Sequence, residues 1–375
     1  MKITAVESFP IRIKSQSSDT SQSFYRPSSP NQTLYAHHHE AVFIRIEVNS
    51  GLVGWGEALA PVAPEVTAAI IDKLLGPILL GRDARNMRSL WSEMYNAMRV
   101  RGNTTGFMLD AIAACDIALW DLKGKIFQEP IWRLIGGSYR DQIPVYVSGL
   151  SAEDVGYPAG SNPIEVAQTY ITQGFTAFKG IPLDLSFRQA VGAEVILLYD
   201  GMWRYSLQDA ISVARRLQTL DIAFFECPLA PEAIDDHRTL RQQTGIAVAL
   251  GEAERTRYQF RELLIREAVD IIQADVGRTG LSEYLAIVDL AQAFHRQIAP
   301  HASTGLGICI AASIHLCAAI PNLYLLEYKP KSVKLANQYL TSPLVCQNGT
   351  FQIPAGIGLG VEPDYSKIMD AVSDY

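Results

Sequence analysis

No stretch of this chain approaches the ~18 consecutive apolar residues that cross a bilayer, and its opening MKITAVESFPIRIK alternates like a strand instead of carrying a signal peptide's apolar block. Both absences lead to the expectation of a cytoplasmic protein. A dense run of Lys and Arg is also missing and the net charge is −7, so the clustered cations that displace counterions from a phosphate backbone are not there. Nucleic acid and membrane are therefore excluded as expected partners, and a small molecule is favoured. Cysteine is scarce: Cys115, Cys227, Cys309, Cys317 and Cys346 are odd in number, sit mostly in apolar runs and lack paired metal-type spacing. They read as reduced packing residues. Charge is sparse as well, at 19% against 48% hydrophobic residues, which excludes a disordered or fibrous chain.

What is present is long enough for two or three domains, since 375 residues exceed one ordinary unit of ~150. The first ~60 residues read as antiparallel strands, KITAVESFPIRI, HEAVFIRIEVNS and LVGWGEAL, with Asn49, Ser50 and Gly51 turning between the last two. From Pro64 to Lys125 apolar positions recur every three or four residues, the helical period. An α+β first domain over 1–125 is expected. Within it, the polar stretch Ser15 to Tyr35 is rich in Ser, Gln and Pro, and reads either as disordered or as a lid over a site.

From Asp141 onward short β-rich runs alternate with amphipathic helices: IPVYVSGL, FTAFKGI, EVILLYD, IAFFE, IAVALGE, VDIIQAD, RQIAPH and LYLLEY. Eight such runs suit a TIM-type α/β barrel over 126–340. The tail 341–375 leaves that rhythm and is expected to pack back onto the first domain.

Three of these runs end in a carboxylate, Asp200, Glu226 and Glu252, each 26 residues from the next. A strand, a helix and two loops consume about that length, so the acids should emerge from successive strands at the barrel end where such folds place their active sites. Converging carboxylates repel one another unless a cation lies between them. Oxygen-only donors select a hard ion, Mg²⁺ first and Mn²⁺ as a substitute. The plainer reading, that each acid is a helix N-cap, explains one acid better than three in equal register. Asp275 and His301 end the next two runs. A carboxylate bonded to one imidazole nitrogen fixes the tautomer and raises the basicity of the other, giving a general base near neutral pH.

The ordered set DAIAACDIALWDLKGK, FKGI, YDG, FFECP, GE, QADVGRTG and APH resembles the enolase superfamily, specifically its mandelate racemase subgroup, over nearly the whole chain. That resemblance implies an α+β capping domain on a modified (β/α)7β TIM barrel. It further implies Asp200, Glu226 and Glu252 as Mg²⁺ ligands, Asp275 and His301 as base dyad, a carboxylate substrate losing its α-proton, and a homo-oligomer.

The chain departs from the subgroup at two places. Where members often carry Lys-x-Lys it has Lys179, Gly180 and Ile181, and where they commonly carry Asn or His it has Met202. Lys179 is expected in the catalytic set with His301 and Asp275, contacting the substrate carboxylate or metal-bound oxygens, and its 21-residue link to Asp200 predicts a stub of a helix. Without a second base on the opposite face, a single His favours dehydration of an aldonate or aldarate to a 2-keto-3-deoxy acid. A racemase, epimerase or cycloisomerase is the runner-up, and a non-catalytic relative that binds metal and sugar acid is the third reading.

Further substrate contacts are expected from Glu327, Arg204, Tyr35, His37 and His39, with Trp55 on a segment leaning over the barrel mouth and Arg101 as another partner for a distal carboxylate. Adjacent strand residues point to opposite faces, so His37, His38 and His39 cannot all converge.

Overall fold

The computed structural model describes residues 1–14, 24–28, 31–302 and 305–372. Strands β1 (Ile3–Lys14), β4 (His38–Val48) and β5 (Val53–Ala58) form an antiparallel sheet in the order β1-β4-β5. Gly51, at φ 81°, makes the turn between β4 and β5 in a left-handed conformation that a side chain would strain. A separate hairpin, β2 (Tyr25–Ser28) and β3 (Thr33–Ala36), occupies the described part of the polar stretch. The rest of the expected lid lies outside the described residues.

The Phe107–Phe127 helix is apolar on nearly every side and buried from Met108 to Leu122, as a helix enclosed by two layers must be. One side meets β5, where Gly54 and Gly56 allow a close approach: a Cβ on either would overlap the carbonyl oxygen of Ala118 or Ala114. The other side meets the barrel helix Val276–Ala293. Three aspartates of this helix secure the junction. Asp110 pairs with Arg255 at 3.0 Å, Asp116 accepts from Ser282 N–H at 2.8 Å, and Asp121 accepts from Trp55 and Leu359 N–H, each at 2.9 Å. The helix runs two residues beyond the expected boundary at 125.

Eight parallel strands follow: β6 (Gln142–Ser148), β7 (Ala177–Lys179), β8 (Ile196–Asp200), β9 (Ile222–Glu226), β10 (Val248–Leu250), β11 (Ile271–Ile272), β12 (Gln297–Ile298) and β13 (Leu326–Tyr328). They pair in sequence from β6 to β12, β13 pairs with β6, and a parallel bridge from Ile298 to Leu323 closes the ring. Each of the eight predicted runs supplies one stave. Inside, Tyr146, Ala177, Leu198, Phe224, Ala249, Ile271, Ala299 and Leu325 pack as a cluster with one residue from each stave or its edge. This is the layered filling that makes such a barrel a core instead of a pore.

Between β7 and β8 the helix is indeed short, seven residues from Leu185 to Val191. The tail serves both domains. β14 (Cys346–Gln347) and β15 (Thr350–Gln352) form a hairpin whose second strand pairs antiparallel with β6. Beyond it, Leu359 meets Asp121, Glu362 meets Lys125, and Tyr365 packs on Phe9 and Trp55 of the capping sheet. Among the described residues no helix is long and apolar enough to cross a membrane, and all five cysteines are free.

Candidate active site

Strand ends of the barrel, from Ser148 on β6 round to Lys329 after β13, and the β2–β3 hairpin enclose a cavity of about 450 Å³. Asp200, Glu252, Lys179 and His301 border it from the barrel; Tyr35, His38 and His39 border it from the capping domain; Arg204 stands at its wall. Glu226, Asp275 and Glu327 lie beneath this lining and are almost completely buried.

Lys179 is the hub of the floor. Its Nζ stands 2.5 Å from Glu226 Oε1, 3.1 Å from Glu327 Oε1 and 3.7 Å from Asp200 Oδ2. Burial alone would push an ammonium toward neutrality, but Glu226 and Glu327 outweigh it and hold Lys179 well above its ordinary value. The amine is therefore charged. Glu327 is also buried, and Lys179, Lys329 and His301 hold it well below the usual carboxylate range. Asp200 and Glu226 shift the other way: burial raises both, and one ammonium only partly offsets it.

Each acid is aimed by a second contact. Asp200 Oδ1 accepts Met202 N–H at 2.8 Å, Glu226 Oε2 accepts Gln273 Nε2–H at 2.7 Å, and Glu252 Oε1 accepts the Trp203 indole N–H at 3.0 Å. Met202 and Trp203 both hold positive φ, 50° and 61°, an unfavourable conformation for bulky side chains that persists only where the surroundings impose it. Ligand atoms of Glu226, Cys227 and Glu252 lie within 4.8 Å of one another. Asp200 stands outside that trio and joins the acids through the shared ammonium.

His301 faces the same floor. Its Nδ1 is 2.6 Å from Asp275 Oδ2, and its Nε2 is 3.2 Å from Glu252 Oε2 and 3.8 Å from Glu327 Oε2. Burial lowers an imidazole's pKa, yet Glu327, Glu252 and Asp275 together raise this one. Asp275 is doubly committed, since its Oδ1 accepts Gly277 N–H at 2.7 Å. Both dyad residues follow neighbouring staves and form a parallel bridge with each other.

Three expectations need correction. Trp55 does not lean over the mouth; it is buried in the capping core against Phe9 and Tyr365, because its strand face is turned toward that packing. Arg101 is exposed in the turn before the Phe107–Phe127 helix and does not border the cavity. His37 sits at the bend between β3 and β4 with its N–H on the Phe24 carbonyl, and it does not border the cavity, whereas His38 and His39 do. Residues the sequence did not single out include Gln273, Trp203, Ser148, Arg278 and Lys329, of which all but Gln273 border the cavity. Only QADVGRTG hinted at any of them, by carrying Gln273 and Arg278 beside Asp275.

The donor set is chemically suited to a hard divalent ion: the carboxylates of Asp200, Glu226, Glu252 and Glu327 carry more negative charge than the single ammonium of Lys179 neutralises.

Residues 25–136 match the mandelate racemase / muconate lactonizing enzyme N-terminal domain, and residues 164–367 match the enolase C-terminal domain-like family. The chain belongs to the enolase superfamily. Within this superfamily it is similar to D-galactarolactone cycloisomerase of Agrobacterium fabrum, at 34% identity over 86% of this chain and 88% of that protein. It is also similar to arabinonate dehydratase of Saccharolobus solfataricus, at 31% over 87% and 89%. Among solved structures, an enolase superfamily member from Agrobacterium tumefaciens superposes with TM-score 0.92 at 30% identity, covering 99% of both chains. The 3,6-anhydro-D-galactonate cycloisomerase of Zobellia galactanivorans superposes with TM-score 0.84 at 30% identity, covering all of both. The mandelate racemase-like fold, a capping domain on a barrel, is thus shared along the whole chain.

Proposed function

We propose that this superfamily member removes the α-proton of a sugar acid with His301 and eliminates the β-hydroxyl, making it an acid sugar dehydratase. The observation that carries this reading is the asymmetry of the site. One barrel imidazole is held by Asp275 with its other nitrogen turned to the floor, while the lysine on that floor, Lys179, is kept protonated by three carboxylates. Ile181 stands where a second lysine would be and offers no proton. Chemistry needing a base on each face is disfavoured by that arrangement.

In this reading His301 Nε2 accepts the α-proton while Asp275 holds the Nδ1–H and stabilises the imidazolium. The same nitrogen then returns the proton to the departing β-oxygen, so water leaves and no proton is gained or lost. Lys179 and Arg204 from the barrel, with Tyr35, His38 and His39 on the capping side, orient the carboxylate and hydroxyls. Asp200, Glu226 and Glu252 would hold Mg²⁺, which when bound stabilises the negative charge that builds on the substrate carboxylate as the proton departs.

A second reading is supported by the cycloisomerase relatives: if the departing β-oxygen belongs to a lactone or anhydro ring, the same single-base elimination opens the ring and the enzyme is an isomerase. A screen of aldonates, aldarates and their lactones with Mg²⁺, read by mass spectrometry in D₂O, separates the outcomes. Dehydration gives a 2-keto-3-deoxy acid one water lighter, ring opening conserves mass apart from deuterium, and epimerisation returns deuterated substrate of inverted configuration. His301→Asn should lose at least about 10²-fold in every arm. Full activity in that variant rules out His301 as the base, and binding without α-proton loss by the wild type points to a non-catalytic relative.

A further inference from the structure

The capping sheet ends against the base dyad. Glu57, on β5, is fully buried at 0% exposure, and both its carboxylate oxygens are committed to the barrel. Oε1 accepts the backbone N–H of Leu306, and Oε2 accepts that of Cys309 at 2.9 Å. Those N–H groups open the Ile308–Ala319 helix, a few residues downstream of His301. Two residues after Glu57, Leu59 N–H donates to the Gly277 carbonyl at 2.9 Å. Gly277 N–H in turn donates to Asp275 Oδ1 at 2.7 Å, and Asp275 Oδ2 holds His301 Nδ1 at 2.6 Å. One strand end of the capping domain therefore grips the chain just beyond each member of the dyad. Neither Glu57 nor Leu59 borders the cavity.

A carboxylate that binds two chain amides fixes a segment from both sides, and misplacing a reacting group by ~1 Å costs on the order of 10²-fold in rate. We infer that Glu57 is a positioning residue for His301, setting the imidazole against Asp275 by anchoring the start of the Ile308–Ala319 helix. This rests on the Asp275–His301 pair being the base. Pure domain adhesion is the competing role, and Asp121, which ties the Phe107–Phe127 helix to Trp55 and Leu359, is the matched control because it secures the capping domain away from the dyad.

The test compares full-length wild type, Glu57→Gln, Glu57→Asp and Asp121→Asn with Mg²⁺ present. Glutamine keeps the shape but presents an NH₂ to an N–H donor; aspartate keeps the charge but is one methylene short. The first readout needs no substrate: the low-field ¹H NMR signal of the His301 Nδ1 proton, assigned by its loss in His301→Asn. The second is initial rate on D-galactarolactone and arabinonate. In both Glu57 variants the low-field signal should shift or broaden, and kcat should fall ten- to a hundredfold with KM within about threefold. Asp121→Asn should lower Tm by a comparable amount while keeping signal and kcat. Glu57 variants whose signal and kcat match those of Asp121→Asn overturn the inference. Should the wild type turn over neither probe, the proposed elimination on those substrates fails separately, and an unmoved signal in the Glu57 variants still overturns the positioning role. If Glu57→Gln does not fold, Glu57→Asp carries both readouts.

Discussion

Lys179 Nζ lies 2.5 Å from Glu226 Oε1 with both side chains buried, so a single ammonium neutralises part of an acidic floor that also includes Asp200 and Glu327. Removing one partner of a buried ion pair strands the other in a poor solvent, at a cost of about 3–5 kcal/mol. Lys179→Met should therefore lower the Tm of the metal-free protein markedly. The stranded acids should then gain more from a divalent ion, so the rise in Tm on replacing EDTA with Mg²⁺ should be larger in Lys179→Met than in wild type. Asp200→Asn should show the opposite, a smaller rise. Equal Mg²⁺ shifts in all three proteins would mean the floor does not hold the ion.

Asp275→Asn removes an anion that raises the His301 pKa. The imidazole must be neutral to accept a proton, so wild-type kcat rises with pH through the raised pKa. In the variant that acid limb should move to lower pH, and the plateau should drop about 10²-fold or more because the wrong tautomer is no longer excluded. A pH–rate profile checks both signs; an acid limb that stays in place counts against the dyad.

His315 is buried with Nε2 2.9 Å from the Leu359 carbonyl oxygen, and burial lowers its pKa to about 4. The unfolded chain binds that proton at an ordinary value near ~6.5. Stability from this group is thus fully present above ~6.5 and declines as pH falls toward about 4, by about 1.4 kcal/mol per pH unit. His315→Gln, which can still donate to Leu359, should flatten part of that decline in denaturant unfolding at pH 7, 6 and 5. Parallel wild-type and variant curves would refute it.

Gly56→Ala places a methyl group onto the Ala114 carbonyl oxygen and within 2.9 Å of Ala118 N, both backbone atoms of a buried helix. Neither can yield as a flexible side chain would, so a loss of about 3 kcal/mol or more is expected from overpacking. Gly51→Ala meets no atom within 4 Å and is strained only by its positive φ, so it should cost about 1 kcal/mol. Chemical denaturation ranks the two, and a reversed order would show that β5 does not need its close approach to the helix.

Much of this was legible in one dimension because barrels write their order into the chain. Equal spacing of Asp200, Glu226 and Glu252 located three stave ends, and each of the eight apolar runs became a strand. Strand alternation put successive histidines on opposite faces, yet His38 and His39, neighbours at the start of β4, both border the cavity and His37 does not. The orienting roles of Gln273 and Trp203 were hidden for another reason: their partners, Glu226 and Glu252, lie 47 and 49 residues away, and nothing local marks a side chain that orients another. Lys179 was read as a substrate contact, but its triple engagement with acids from three other staves exists only once the ring has closed. Trp55 failed because alternation gives two faces without saying which one borders a cavity.

The tail that pairs with β6 and then crosses to Asp121 ends in a helix, Tyr365–Ala371, lying against β1, with Val372 bridged to Ile11. The polypeptide thereby loops back on its own opening strand like a buckled belt, and swinging the capping sheet away as a rigid leaf would first require that buckle to be undone.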